Sequence, residues 1–187
     1  IPLRLVGSEM CIRDRSLSSR PMKRVTEHLK RIGAVFILKK NNFLPMTLKG
    51  SANPIPLNYE ISIPSAQIKS AVMLSALNTL GKVTIKEFSS TRDHTERMLS
   101  GFGADIETVE IKDGFAITLQ GRPELTAQDI VVPRDPSSAA FPVCAALIVE
   151  GSEIFLPNIC LNPTRSGLFT TLVEMGADIE FENNRLE

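Results

Sequence analysis

An α/β fold assembled from repeated βαβαββ units is what this sequence predicts, on three observations. The phrases "RIGAVF" (31–36), "GFGADIE" (101–107) and "EMGADIE" (174–180) each read as a helix end, a glycine, an alanine and a strand start, with Gly33, Gly103 and Gly176 spaced 70 and 73 residues apart. Two longer stretches, 61–85 and 130–154, each read as strand, proline, small-residue helix start, apolar helix, glycine and strand. Finally, "LPMTLKG" (44–50) and "FAITLQG" (115–121) supply one more strand after the first two Gly-Ala phrases.

Taken in order, residues 1–15 stand outside the pattern. "VGSEMCIRDRS" (6–16) has neither helical spacing nor strand alternation. Arg4, Glu9, Arg13 and Asp14 interrupt every apolar run that a secretory signal would need. Read back into codons, "MCIRD" matches ATGTGTATAAGAGAC, which resembles a transposon end used in sequencing libraries. Residues 1–15 are therefore expected to be a non-native leader, with native sequence entering near Arg15 or Ser16.

The first helix is predicted from Arg20 to Gly33. Glycine after a periodic stretch is the expected C-cap, because it takes the left-handed conformation without a Cβ clash. The basic run "RPMKRVTEHLKR" (20–31) reads as a solvated helix face. Strands follow after Ala34 and at 44–50. The strand "ISIP" then leads to a helix opening at Ser65, a glycine at Gly81 and the strand "KVTI". Arg92 opens the next helix, which Gly103 ends, and two strands complete the unit. The second pass begins with "IVVP", where Asp135 as N-cap and Pro136 at the first helical position open a helix. A strand after Gly151, a helix opened by Arg165 and a strand start after Gly176 follow. Arg20, Arg92 and Arg165 thus precede their glycines by 13, 11 and 11 residues. Helices as apolar as "AVMLSAL" and "AAFPVCAALIV" are expected to be buried on most of their surface, so each unit wraps sheets around packed helices. The chain amounts to about two and a half units, the first lacking its opening strand and helix.

The 187 residues are 43% hydrophobic, with 21 basic and 21 acidic side chains. A net charge of zero argues against a nucleic-acid binder, which needs a basic excess. Cys144 and Cys160 sit among apolar neighbours without metal-ligand spacing, and "FPVCAALIV" is too short to span a bilayer, so a reducing cytosol is the expected compartment. There is no Gly-x-Ser-x-Gly elbow, phosphate loop or dinucleotide fingerprint.

"SLSSRPM", "PSAQIKSA", "TRDHTERML", "VPRDPSSAAFPV" and "NPTRSGL", in this order and spacing, resemble the 5-enolpyruvylshikimate-3-phosphate synthase family over residues 16–187, closest to its glyphosate-insensitive bacterial forms. The resemblance implies the inside-out α/β barrel-like domains of the enolpyruvyl transferase fold, here incomplete, with three βαβαββ units per domain. It places 16–133 in the first domain and 134–187 at the start of the second. Arg134 stands where the family usually has glycine.

The resemblance further implies transfer of the enolpyruvyl group of phosphoenolpyruvate to the 5-hydroxyl of shikimate 3-phosphate, releasing phosphate. It implies no cofactor or metal, no nucleic-acid or membrane partner, and a monomer in the cytoplasm. Both substrates carry a phosphate and a carboxylate, which guanidinium forks and helix N-termini suit. By resemblance Arg20 contacts phosphoenolpyruvate, while Ser65, Ala66, Gln67 and Arg92 contact shikimate 3-phosphate. Some relatives have a second serine at Ala66. The family's acid and base fall outside the chain, so no catalytic residue is expected within it, and His94 is assigned no role.

Each residue also has a plainer reading: Arg20 as a solvated cation, Ser65 as an N-cap, Arg92 as the partner of Asp93 or Glu96, and Ser137 and Ser138 as helix-start residues. Arg165, at the position equivalent to Arg92, is expected to serve packing with no anion beside it. Two rival functions remain open: the related transferase that accepts UDP-N-acetylglucosamine, and a non-catalytic repeat scaffold.

Overall fold

The computed structural model describes residues 19–39 and 42–182. The expected leader, residues 1–15, lies outside the described residues. By contacts the chain divides into two compact units, one running through Thr91 and resuming at Leu99–Leu125, the other comprising Arg92–Met98 and Thr126 onward.

The first unit opens with helix α1 (Lys23–Ile32), which ends on Gly33 in the left-handed region, φ 109°. Strands β1 (Val35–Lys39) and β2 (Phe43–Lys49) then pair antiparallel. One full unit of the predicted order follows: β3 (Asn58–Ile61), α2 (Ala66–Ala76), β4 (Lys82–Glu87), α3 (His94–Gly101), β5 (Ile106–Ile111) and β6 (Gly114–Gln120). Helix α3 begins in the second unit and ends in the first. The sheet runs β3-β4-β6-β5, with β3 and β4 parallel and the other pairs antiparallel.

The core of this unit follows from period. Ile68, Val72, Met73 and Ala76 line one stripe of α2 and are buried with Tyr59, Ile61, Val83, Ile85, Ile117 and Leu119 of the sheet. Ile32 of α1 and Leu99 of α3 join the same cluster. Gly114, at φ 136°, lies against the end of β4. A Cβ there would overlap the Glu87 carbonyl oxygen and come within 2.7 Å of Phe88 Cα, so only glycine lets the β5–β6 turn approach.

The second unit departs from expectation. Helices α4 (Pro136–Ile148) and α5 (Gly167–Glu174) form where predicted, but 130–133, the stretch after Gly151 and the stretch after Gly176 are not strands. A single parallel bridge, Arg134 with Ile159, is all the pairing present among the described residues there. Strand formation is a property of a pair, and β-branched residues alone do not supply the partner. In the first unit the β5–β6 hairpin extends the β3–β4 ladder, and no such hairpin occurs among the described residues of the second.

For the same reason the expected burial of α4 fails. Phe141 and Ile148 are 80% and 82% exposed, and only Pro136 and Ala139 of this helix are buried. The apolar face exists in sequence, and no sheet forms under it.

Candidate functional site

Strands β3 and β4 end together, Ile61 paired with Glu87. The chain therefore leaves both at the same edge of the sheet, the carboxyl end of parallel strands, where ligand crevices form in open α/β sheets. From β3 it passes through Pro64 into Ser65. The extended backbone of Ser65 (φ −154°, ψ 106°) makes it the N-cap of α2, and its Oγ accepts from Ile68 N–H at 3.5 Å. That bond is long, so the hydroxyl keeps acceptor capacity and its proton. Ser65 and Ala66 are half-buried, and Gln67, on the first turn, is exposed.

From β4 the chain runs through 88–91 to Arg92. At the end of β4 lies a group of polar side chains that the expectations passed over. Glu87 Oε1 accepts from Lys69 Nζ at 3.2 Å, and Glu87 Oε2 accepts from Thr91 Oγ1 at 2.8 Å. Lys69 Nζ also donates to the Thr91 carbonyl at 3.4 Å. The Lys69 and Glu87 side chains are 1% and 5% exposed. Their position was legible: Lys69 falls three and four residues before the buried Val72 and Met73, and Glu87 continues the inward alternation of Val83 and Ile85.

Arg92 is exposed. The plainer expectation, an ion pair with Asp93 or Glu96, does not occur, and no hydrogen bond or ion pair engages the Arg92 side chain among the described residues. Asp93 is committed elsewhere in the second unit: Oδ2 accepts from Arg97 Nε at 2.7 Å and Oδ1 from Asn162 Nδ2 at 2.6 Å. Partial burial acts to raise the Asp93 carboxyl, but the Asn162 amide and the Arg97 guanidinium outweigh it and hold the group below its usual range. Asn162 Oδ1 in turn accepts from the Thr164 N–H and hydroxyl.

Arg20 is exposed, ahead of Pro21 and of Met22, the N-cap of α1. Met22 N–H donates to the Asn42 carbonyl at 2.8 Å and so fixes the entry to the helix. Ser65 as the N-cap and Ala66 and Gln67 as the first residues of α2 lie together at the helix start. No hydrogen bond or ion pair joins Arg20 to that turn among the described residues.

In the second unit Asp135 caps α4, accepting from the N–H groups of Ser137 and Ser138 at 3.2 Å each. The Ser138 hydroxyl also donates to it, and Arg165 Nη2 donates to Asp135 Oδ1 at 2.6 Å and Ser137 Oγ at 2.8 Å. Both serines are thus helix-start residues. The expectation of no anion beside Arg165 is corrected: the Asp135 carboxylate occupies it. A slight loss of solvation acts to raise the Asp135 carboxyl, but the Ser137 N–H, the Ser138 hydroxyl and the guanidinium lower it.

Cys144 and Cys160 are unpaired thiols. Among the described residues no cluster of three or more His, Cys, Asp or Glu is placed to hold a metal ion, and no helix is long and apolar enough to cross a membrane.

Comparison with known proteins bears on all of this. Proteins named 3-phosphoshikimate 1-carboxyvinyltransferase from Roseobacter denitrificans and a Ruegeria species are each 58% identical over 174 residues, covering 93% of this chain and 39% of the relative. The chain therefore spans about two fifths of the length of these relatives. Among solved structures, EPSP synthase from Acinetobacter baumannii matches with a TM-score of 0.78 at 38% identity, over 92% of this chain and 39% of that one. The enolpyruvyl transferase NikO from Streptomyces tendae matches in fold alone, with a TM-score of 0.62 at 18% identity over 88% of this chain and 41% of that one. The mixed α/β arrangement is that of the enolpyruvyl transferases, here in part. The family model of EPSP synthase (3-phosphoshikimate 1-carboxyvinyltransferase) matches residues 13–187, and the chain belongs to that family.

Proposed function

We propose that the protein carrying this chain transfers the enolpyruvyl group of phosphoenolpyruvate to the 5-hydroxyl of shikimate 3-phosphate, releasing phosphate, as a cytoplasmic monomer without a cofactor. In this reading Arg20 binds phosphoenolpyruvate, while Ser65, Ala66, Gln67 and Arg92 bind shikimate 3-phosphate. The acid and base come from outside residues 16–187, and the domain crossover lies near Pro133.

The observation that carries the reading is the state of Arg92. Its neighbours Thr91 and Asp93 are both held by hydrogen bonds, while its own guanidinium is exposed with no carboxylate against it among the described residues. A cation presented on fixed backbone and left without an internal partner suits an anionic ligand. Its repeat counterpart Arg165, by contrast, is already neutralised by Asp135. The Ser65 turn adds a hydroxyl, the Gln67 amide and the first N–H groups of α2 at the sheet edge that suits a ligand.

Calorimetry on the full-length protein with shikimate 3-phosphate and, separately, UDP-N-acetylglucosamine tests the reading. Binding of the first alone is expected. Binding of the UDP-sugar alone would favour the cell-wall transferase, and binding of neither would favour the scaffold. Arg92→Ala and Arg20→Ala each remove charge-assisted hydrogen bonds worth roughly 1.5–3 kcal/mol. At about 1.4 kcal/mol per factor of ten, kcat/KM is expected to fall at least tenfold for each, expressed against shikimate 3-phosphate and phosphoenolpyruvate respectively.

A further inference from the structure

We propose that Lys69, Glu87 and Thr91 form a buried positioning device for Arg92, setting the direction in which its main chain leaves β4 and hence its reach toward shikimate 3-phosphate. The proposal rests on the binding role given to Arg92 above.

The geometry converges on Thr91. Glu87 uses both carboxylate oxygens, one for Lys69 Nζ and the other for the Thr91 hydroxyl, and Lys69 Nζ also reaches the Thr91 carbonyl. The side chain and the main-chain carbonyl of Thr91 are thus held by the same ion pair. That carbonyl belongs to the peptide unit leading into Arg92, and because the unit is planar, fixing its oxygen fixes the direction of the Arg92 N–H and Cα. Gly114 packs closely against the Glu87 and Phe88 backbone, so the start of the loop is also set.

Stability alone is a poor reason for this arrangement. An ion pair buried to this degree loses solvation that its mutual attraction barely repays, and apolar residues of similar volume commonly do as well. Ile and Met would continue the faces on which Lys69 and Glu87 lie. What apolar side chains cannot do is grip a hydroxyl and a carbonyl together.

The test is a double-mutant cycle in the full-length protein, read as the dissociation constant for shikimate 3-phosphate and the KM for phosphoenolpyruvate. Thr91→Val keeps the shape and removes the hydroxyl. The paired change Lys69→Met with Glu87→Gln removes both charges without stranding either. Each is expected to weaken shikimate 3-phosphate binding by about two- to tenfold, part of what a lost hydrogen bond at Thr91 costs, since the effect reaches the ligand only through Arg92, with the KM for phosphoenolpyruvate changing less. In an Arg92→Ala background neither should weaken binding further. An equal loss with and without Arg92, or no loss from Thr91→Val in a folded protein, overturns the device. If the paired variant fails to fold, Thr91→Val decides alone. If Arg92→Ala by itself leaves shikimate 3-phosphate binding intact, it is the role of Arg92 that fails, and the device falls with it.

Discussion

Arg92 and Arg165 stand eleven residues before Gly103 and Gly176 in matched repeats, yet their surroundings differ. Arg165 bridges Asp135 and Ser137 and so ties the start of α5 to that of α4. Arg165→Ala is expected to lower the melting temperature of the full-length protein while leaving kcat/KM within about threefold, a change too small for a lost substrate contact. A loss of activity matching that of Arg92→Ala, in a chain that stays folded, would falsify the division of roles. His28 offers a second test at this scale. It lies edge-on to Tyr59 with ring centroids 4.8 Å apart, the Tyr59 hydroxyl hydrogen-bonded to its ring, and Arg31 sits 5.1 Å from the Tyr59 centroid. Burial lowers His28 from its ordinary 6.5, Glu27 opposes and Arg31 adds to the lowering. The unfolded chain therefore takes up this proton first as pH falls. The His28 contribution is fully present above pH 6.5 and is lost as pH drops below it toward the folded value. Denaturant titrations of wild type and His28→Gln across that window should show a slope in the first that is reduced in the second.

Helices α2 and α4 make the same point about elements. Both begin after a proline-containing turn and both are apolar, yet α2 is buried along Ile68, Val72, Met73 and Ala76 whereas α4 presents Phe141 and Ile148 to solvent. The difference is the sheet: β3, β4 and β6 share one core with α2, whereas the segments flanking α4 form no ladder and make only the Arg134–Ile159 bridge among the described residues. The caps differ as well, since Asp135 accepts two N–H bonds at 3.2 Å and Ser65 accepts one at 3.5 Å. Ser65→Ala should therefore cost about 0.5–1 kcal/mol, the low end for a lost N-cap, and Ser65→Gly only a few tenths. Both remove the hydroxyl, so shikimate 3-phosphate affinity should fall in both. A fall only in the alanine variant would mean that Ser65 acts through helix stability.

For the whole molecule, the chain spans 39% of its named relatives, and the second unit exposes Val131, Val132, Phe141, Ile148 and Phe155. Apolar surface of this kind is a template for association. Residues 1–187 alone are expected to self-associate in sedimentation velocity and to release no phosphate from the two substrates. Turnover by a monodisperse preparation would overturn both the placement of the acid and base outside the chain and the expectation of association.

What the sequence determined by itself is whatever depends on neighbours along the chain. Gly33 ends α1 because only a residue without Cβ takes its left-handed turn cheaply, and Asp135 with Pro136 opens α4 because the cap and the missing N–H act within one turn. The complete βαβαββ order of 58–120 was legible for the same reason, and so were the positions of Ser65, Ala66, Gln67, Arg20 and Arg92 at or just before helix starts. Tertiary structure alone decided the rest, because pairing and burial depend on partners distant in sequence. It left 130–133 and the segment after Gly151 without a ladder and α4 without a cover. It gave Asp135 rather than solvent to Arg165, and Asn162, 69 residues away, to Asp93. It also joined Lys69 and Glu87, each legible as an inward charge on its own element, into one ion pair beneath Thr91, since only the packing of α2 on β4 brings the two faces into contact.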